Sequence, residues 1–586
     1  MRKLVVFLAF FVLFGQVNSQ DNPDWRKKVD NALLGKKEKD EDMQFLVLMT
    51  LQADLQAARA IQTKEEKAAF VFNKLREVAI VSQQKPIELL EHSNAVFESF
   101  FIINAIAVKG NQDLVEALAK LPSVAFIMAN PDVRFAGPVE KQDEIAQERG
   151  AVEWGIEMIN ANDVWELGFR GQGVIVGGQD TGYDWTHPAL INKYRGYTAV
   201  LDTFDHNYNW HDAIHAISPL ANDSLNPCGL DLDYPCDDNG HGTHTMGTMV
   251  GSDGENEIGV APEAKWCACR NMERGNGSPF TYLECFQWFL APTDLNGNNP
   301  DPSKAPHVIN NSWYCSEQEG CNSTNMQVMN LAISHLRLAG TVVVVSAGNF
   351  GGCGTIANPA IFESSFTIGA TAINDTIAGF SSKGPATLDG SNRLKPDVSA
   401  PGVGVRSSVP GGNYANFSGT SMAGPHVAGL VALVISANPA LAGQVDLIEE
   451  IIKETAMPKT TDQQCGDIPG SQVPNHTYGH GRVDALAAVQ AALALVPSNA
   501  TDKIVDIALK VYPNPFGNQL FLEIENASSP ISFQLFDLNG RLVHEKHWSN
   551  QGRVADILNL EAQLEGVYFY RLLDSTVVLT GMVVKQ

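Results

Sequence analysis

Between about residue 150 and residue 495, short apolar runs alternate with Ala-rich stretches of helical spacing, and this alternation constrains the fold more than any other feature of the chain. GQGVIVGGQDTG, KWCACRN, PHVINNSW and GTVVVVSAGN are continuously apolar and end in polar residues. A strand apolar on both sides has to be covered on both faces. LECFQWFLA, QVMNLAISHLRLA and AGPHVAGLVALVISA carry the period of helices. Together they predict an α/β fold, a parallel β-sheet flanked by helices on both faces. Ligands of such sheets bind beyond the carboxyl ends of the strands, which is where the polar residues fall.

At 586 residues the chain is too long for one core, and its composition shifts on either side of the alternating region. MRKLVVFLAFFVLFGQVNSQ has a basic start, an apolar stretch from Leu4 to Phe14 and small residues at Val17 and Ser19. It reads as a secretory signal peptide, 1–19, too short for a membrane span. A charged linker, 20–44, contains KKEKDED, and residues 45–138 mix helical spacing (FVFNKLREVAIV, DLVEALAKL) with short β-like runs (FFIINAIAVK). They predict a small α+β module. After the α/β region, 150–495, the polar segment PSNATDK marks a linker at 496–503. Period-two runs such as LFLEI and FQLFD, with Asn539-Gly540 as a hairpin turn in LFDLNGRLV, predict a small all-β sandwich over 504–586.

A formal net charge of -25 argues against nucleic acid and anionic membrane surfaces as partners, since both depend on clustered Lys and Arg. Export permits disulfides. The nine cysteines are an odd count, which leaves at least one thiol outside an intramolecular pair. Cys228 with Cys236 and Cys315 with Cys321 are close enough to staple loops, although spacing does not fix connectivity. The absence of a CxxC pair makes zinc a weak alternative.

Three clusters fall at predicted element ends: QDTGYDWTHPAL around Asp180, DDNGHGTHTMGTMVG around His241 and SGTSMAGPHVAG around Ser421. They offer an orienting carboxylate, an imidazole base and a hydroxyl nucleophile. A serine hydroxyl is protonated at neutral pH and needs a base within reach, itself held by an anion. An α/β-hydrolase would carry GxSxG with its serine first, whereas here the serine comes last, in GTSMA. His244, three residues after His241, could join it in binding zinc, but HExxH and a third ligand are missing. Asp184, Asp237 and Asp238 read as solvated turn acids. His187 reads as a turn or packing residue, His426 as a core or helix-terminal one, and Thr420 and Ser418 as turn and capping residues.

DTGYDWTHPAL, GHGTHTMG, SAGN and GTSMAGPHVAG resemble the four motifs of the subtilisin-like serine proteases, in their chain order, and YGHGRVDALAAV resembles the helix that closes that domain. NWHDAI, PCDDNGHGTHTMGTMVG, RNMERGNG and VINNSW are similar to the bacillopeptidase F branch. The resemblance implies a serine endopeptidase with Asp180 as orienting carboxylate, His241 as general base, Ser421 as nucleophile and Asn349 as side-chain donor of the oxyanion hole. It implies substrate contacts at Ser312, Trp313, Tyr314, Ser346, Ala347 and Gly348. Tyr314 stands where the family usually has glycine and would crowd the specificity pocket.

The module at 45–138 resembles the family's inhibitory pro-region, with cleavage expected between Arg134 and Gly150. The tail, with VYPNPF, LFDLNGRLV and GVYFYRLL, resembles a type IX secretion sorting domain. This implies a bacterial secretion machinery as partner, passage across an outer membrane and release or surface attachment. The chemistry implied requires no cofactor. Structural calcium is common in the family, and DLDYPCDD and DLNGNNPD offer oxygen ligands, but EF-hand spacing is absent and no ligand is assigned. Two other readings predict different behaviour: an inactive surface-displayed binding protein would not turn over casein, and a zinc hydrolase would be sensitive to chelators.

Overall fold

The computed structural model describes residues 24–34, 43–134, 137–143, 152–221, 225–254, 256–315, 323–495, 508–527, 531–537, 541–549, 552–573 and 578–586. The signal peptide, the KKEKDED segment, Cys321, the 496–503 linker and the Asn539-Gly540 turn lie outside them.

The α/β region forms a seven-stranded parallel sheet. In chain order its strands are β1 (Ile175–Asp180), β2 (Trp210–Asp212), β3 (Lys265–Arg270), β4 (Val308–Asn311), β5 (Val342–Ser346), β6 (Phe366–Thr371) and β7 (Val398–Pro401). Their order across the sheet is β2-β3-β1-β4-β5-β6-β7, every pair parallel. The run of valines in β5 shows why the strands are continuously apolar. Val343 and Val345 enter one apolar core with Phe286, Phe289 and Leu336, while Val342 and Val344 enter the other with Val427, Leu430 and Val431. Complete burial of each such side chain contributes about 1.5–3 kcal/mol.

Four helices position the site: α1 (His241–Val250), α2 (Pro279–Leu290), α3 (Ser323–Leu338) and α4 (Thr420–Ala437). Helix α4 is apolar all round because neighbours surround it. It is the one described helix long and apolar enough to cross a membrane, and 89% of it is buried inside the protein. Such a helix is the spine of a large core.

The N-terminal module is a four-stranded antiparallel sheet built from Met43–Met49, Val96–Phe100, Ala105–Gly110 and Val124–Ala129, with helices Lys64–Ser82, Gln84–His92 and Gln112–Ala119. Residues 25–34, read from sequence as linker, belong to it, because Val29 and Leu33 fill its core. Only two of their side chains are buried apolar ones, too few to register as a periodic pattern. Leu46, Leu48 and Phe100 share a core with Phe286 and Leu336 of the α/β region. The C-terminal module is a pair of antiparallel sheets enclosing Leu520, Leu522, Phe533, Leu535 and Leu558. Its strands Ile531–Phe536 and Leu542–Trp548 pair antiparallel, as the hairpin reading requires.

Disulfides join Cys228 to Cys236, Cys269 to Cys285 and Cys353 to Cys465, and Cys315 is also disulfide-bonded. Cys267 is a buried free thiol.

Candidate active site

Asp180 is the last residue of β1 and His241 the first of α1, and both are buried. His241 Nδ1 lies 2.8 Å from Asp180 Oδ1, which also accepts the Thr181 N–H at 2.7 Å. Strand and helix come this close because of two glycines. A Cβ at Gly182, where φ is +110°, would stand 1.7 Å from the Cys236 carbonyl. One at Gly242 would stand 2.1 Å from the Gly182 carbonyl. The Cys228–Cys236 disulfide thus closes a loop that rests on the Asp180 turn.

The acids beside His241 are not the solvated turn residues that their sequence suggests. Asp237 Oδ1 accepts from Thr181 Oγ1 (2.9 Å), Asn239 N (3.0 Å) and Gly240 N (2.8 Å), and Oδ2 accepts from Thr243 N (2.9 Å) and Thr243 Oγ1 (2.6 Å). Thr181 Oγ1 in turn accepts the Gly242 N–H at 3.0 Å. This carboxylate satisfies the first turn of α1, where backbone N–H groups lack intrahelical partners and anions are favoured. Asp238 is paired with Arg270, both side chains fully buried, and Arg270 also reaches Asp212 at 3.3 Å. An Asp/Asn-rich stretch signals a turn, but nothing in its spacing signals the arginine waiting at the end of β3. Asp184 does act as a turn acid, binding Thr186 N and Gly411 N.

Ser421 lies in the first turn of α4, whose preceding residue Gly419 carries no side-chain cap. Its Oγ donates to the Ser312 carbonyl at 3.2 Å. Asn349 follows the end of β5, and its Oδ1 accepts from both Thr420 N and Thr420 Oγ1 at 2.9 Å. That pins the carbonyl end of the amide and leaves Nδ2 as its donor. A Cβ built on Gly419 would lie 3.5 Å from Asn349 Nδ2 and 3.7 Å from Ser421 N, so the two donors border one small space. Thr420, expected to be a turn or capping residue, instead orients Asn349, and Ser418 accepts the Gly404 N–H at 2.9 Å rather than capping the helix. A Thr before the serine gives no sequence signal of this, because its partner is 71 positions away.

The sequence-derived substrate residues gather around the same helix start. Ser346 Oγ donates to the Thr420 carbonyl at 3.0 Å, and Gly348 N donates to Thr420 Oγ1 at 3.2 Å. Ala347 is buried beside them. Trp313 is buried with its ring stacked on Tyr282 at 3.9 Å. Tyr314 meets Phe350, the residue after Asn349, edge to face at 5.0 Å.

His244, His426 and His187 are structural. His244 Nε2 lies 3.0 and 3.1 Å from the Val405 and Ala415 carbonyls, with its ring stacked on Phe417 at 4.2 Å. Burial holds its pKa down to about 3, and that of His426, whose Nδ1 meets the Met422 carbonyl at 2.8 Å, down to about 4. His187 bridges the Asn413 carbonyl and the Ala189 N–H. In DLNGNNPD the Asp294 carboxylate accepts from Asn296 N, Asn298 N and Asn299 Nδ2.

Two lengths of chain leading out of the N-terminal module pair with strands of the α/β region. Val133–Arg134 pairs antiparallel with Asn276–Gly277, and Glu140–Asp143 pairs antiparallel with Ala415–Ser418. Val139 N donates to the Ser418 carbonyl at 2.7 Å, and Val133 is fully buried against Cys315.

Residues 171–481 match the subtilase family, and residues 510–586 match a secretion system C-terminal sorting domain. The chain is 39% identical over 451 residues to bacillopeptidase F of Bacillus subtilis (strain 168), a match covering 74% of this chain and 29% of that longer protein. An alkaline protease of Alkalihalobacillus alcalophilus is 30% identical over 416 residues, which cover 71% of this chain and 85% of that one. Subtilisin E of Bacillus subtilis (strain 168) is 28% identical over 400 residues, covering 67% and 87%. The epidermin leader peptide processing serine protease of Staphylococcus aureus has the same fold, with a TM-score of 0.55 and 17% identity over 77% of this chain and all of that one. The sorting domain places the protein outside the cytoplasm, in the medium or at the cell surface. With its parallel sheet, its ordered motifs and these relatives, the chain belongs to the subtilase family and is a subtilisin-like serine protease.

Proposed function

We propose that the protein is a secreted serine endopeptidase made as a proenzyme, in which Ser421 attacks a peptide carbonyl and forms an acyl-enzyme. His241 takes the Ser421 proton and delivers it to the leaving amine, then activates the water that hydrolyses the ester. Asp180 holds the imidazole tautomer and stabilises the imidazolium. Asn349 Nδ2 and Ser421 N receive the developing oxyanion at the positive end of α4. The observation that carries this reading is the convergence of the two donors on one space beside Ser421, together with the buried 2.8 Å contact between His241 and Asp180. Ser421→Ala removes the nucleophile alone. It is expected to abolish casein hydrolysis and fluorophosphonate labelling, and undiminished labelling would overturn the assignment.

The N-terminal module is then the inhibitory pro-region. Two antiparallel pairings support this: Val133–Arg134 with Asn276–Gly277, and Glu140–Asp143 with Ala415–Ser418, the strand that leads into the helix bearing Ser421. Self-cleavage is expected between Arg134 and Gly150. Mass spectrometry of the mature protein locates the new N-terminus, and the Ser421→Ala chain is expected to stay uncut. The C-terminal module directs export and is removed with it. The substrates are proteins or peptides, and the aromatic pair Tyr314–Phe350 restricts the residue accepted before the cut.

A further inference from the structure

Helix α4 contains a proline, Pro425, at its sixth position. Proline lacks an N–H, so the carbonyl four residues earlier loses its helical donor. That carbonyl belongs to Ser421. It is not left orphaned, because Ser312 Oγ donates to it at 3.0 Å. The direction is fixed from behind: Asn310 Nδ2 donates to Ser312 Oγ at 2.8 Å, so the hydroxyl accepts there and sends its own proton to Ser421 O. Ser312 closes the pair with its backbone, whose carbonyl accepts from Ser421 Oγ at 3.2 Å. Ser312, Ser421 and Asn310 are all at most 2% exposed.

We propose that Ser312 is a positioning residue for the nucleophile, its side-chain hydroxyl replacing the helical N–H that Pro425 removes and so fixing the peptide plane of Ser421. The reason is geometric. A buried carbonyl without a donor tilts toward whatever can satisfy it, and here that carbonyl is bonded to the Cα bearing the reacting Oγ. Residues Asn310, Ser312, Ser421 and Pro425 therefore act as one unit, assembled from the end of β4 and the first two turns of α4. Substrate contact, the role implied by resemblance, concerns the backbone of Ser312. The role assigned here belongs to its hydroxyl and rests on Ser421 being the nucleophile.

The test is a cycle in the full chain, matured with trace wild-type enzyme where self-maturation stalls. Ser312→Ala is expected to lower kcat and the rate of fluorophosphonate labelling on the order of tenfold, the effect of one unsatisfied buried acceptor. Adding Pro425→Ala restores an N–H four residues after Ser421 and is expected to return most of that rate. Tm is followed in all variants, because a structural effect alone would move Tm and labelling together. Full activity of Ser312→Ala overturns the proposal, as does a double variant that regains Tm without regaining rate. Labelling that survives Ser421→Ala would instead refute the nucleophile reading. A dead Ser421→Ala alongside a fully active Ser312→Ala would refute only the positioning role.

Discussion

Gly419→Ala should make the enzyme slower and no less stable, a combination that follows from geometry alone. At φ 166° and ψ 162° the residue is extended, so alanine suffers no backbone strain. Its methyl carbon would meet Asn349 Nδ2 at 3.5 Å, Ser421 N at 3.7 Å and Met422 Sδ at 3.8 Å, all ordinary contacts. Nothing has to move, and loss of glycine freedom in the unfolded chain stabilises by about 0.4–1 kcal/mol. Tm should therefore hold or rise by a few degrees at most. The methyl, however, borders both donors, and an oxyanion must come within about 2.7–3.1 Å of each. Removing the side-chain donor of a subtilisin oxyanion hole costs about 2.7–4 kcal/mol, so kcat should fall by about 10²–10³ with KM little changed. Stopped assays on a peptide anilide, with thermal unfolding in parallel, read both quantities. A Gly419→Ala enzyme whose kcat stays within threefold of wild type would refute the placing of the oxyanion in that space.

Tyr314→Gly should open the pocket that its ring and Phe350 narrow, raising kcat/KM for peptides with a large aromatic residue before the cut relative to those with alanine, as read from competing substrates. Asp238→Ala leaves the Arg270 guanidinium buried and short of its partner, and chemical denaturation should show a loss of about 3–5 kcal/mol. His244 and His426 are held neutral by burial, with pKa values near 3 and 4, below the unfolded value of 6.5. Their contribution to stability is complete above pH 6.5 and is lost as pH falls toward the folded values. By pH 5 each should cost about 2 kcal/mol, measured as a falling Tm whose slope His426→Gln reduces. Val133→Asp places a charge in the buried contact with Cys315 and should shorten the latency of the proenzyme, followed by gel and activity.

The scaffold was legible because apolar burial writes itself in local period. Four valines in a row can only be a strand covered on both sides, and β5 sends them alternately into two cores. The candidate site was legible for a different reason: Asp180, His241 and Ser421 each stand at or beside an element end, where polar residues interrupt an apolar run. What stayed hidden were polar partners joined across distance. The Asp238–Arg270 pair, the grip of Thr420 on Asn349 and the hydroxyl of Ser312 behind Pro425 depend on which strand end the sheet brings beside which helix. Local composition carries no record of that order. The docking of residues 25–34 was hidden likewise, since the two buried side chains Val29 and Leu33 suffice once a neighbouring sheet offers them a surface.

The docking of the N-terminal module, the proposed pro-region, also carries an electrostatic cost that sets the direction of its pH dependence. Lys64 and Lys67, in its first long helix, are buried against the catalytic region, with Nζ donating to the Ala305 carbonyl at 2.6 Å and the Gly443 carbonyl at 2.7 Å. Among the described residues neither ammonium forms an ion pair, and the Asp446 charge only partly offsets the burial of Lys67. Burial pushes the Lys64 pKa down to about 8 and lowers that of Lys67 as well, whereas release returns both toward 10.5. Below pH 8 the charged Lys64 has to be desolvated on docking, at a cost of about 3 kcal/mol for a shift of this size. Between pH 8 and 10.5 the docked form sheds its proton first, so that cost disappears and association tightens. A cleaved but still associated pro-region, made by cutting the Ser421→Ala chain with trace wild-type enzyme, should thus dissociate less at pH 10 than at pH 7.5. The change in Kd should approach a hundredfold, and Lys64→Met should flatten it. A Kd that weakens over the same interval would mean that the apolar surface shared with α2 and α3, and not these two lysines, governs release.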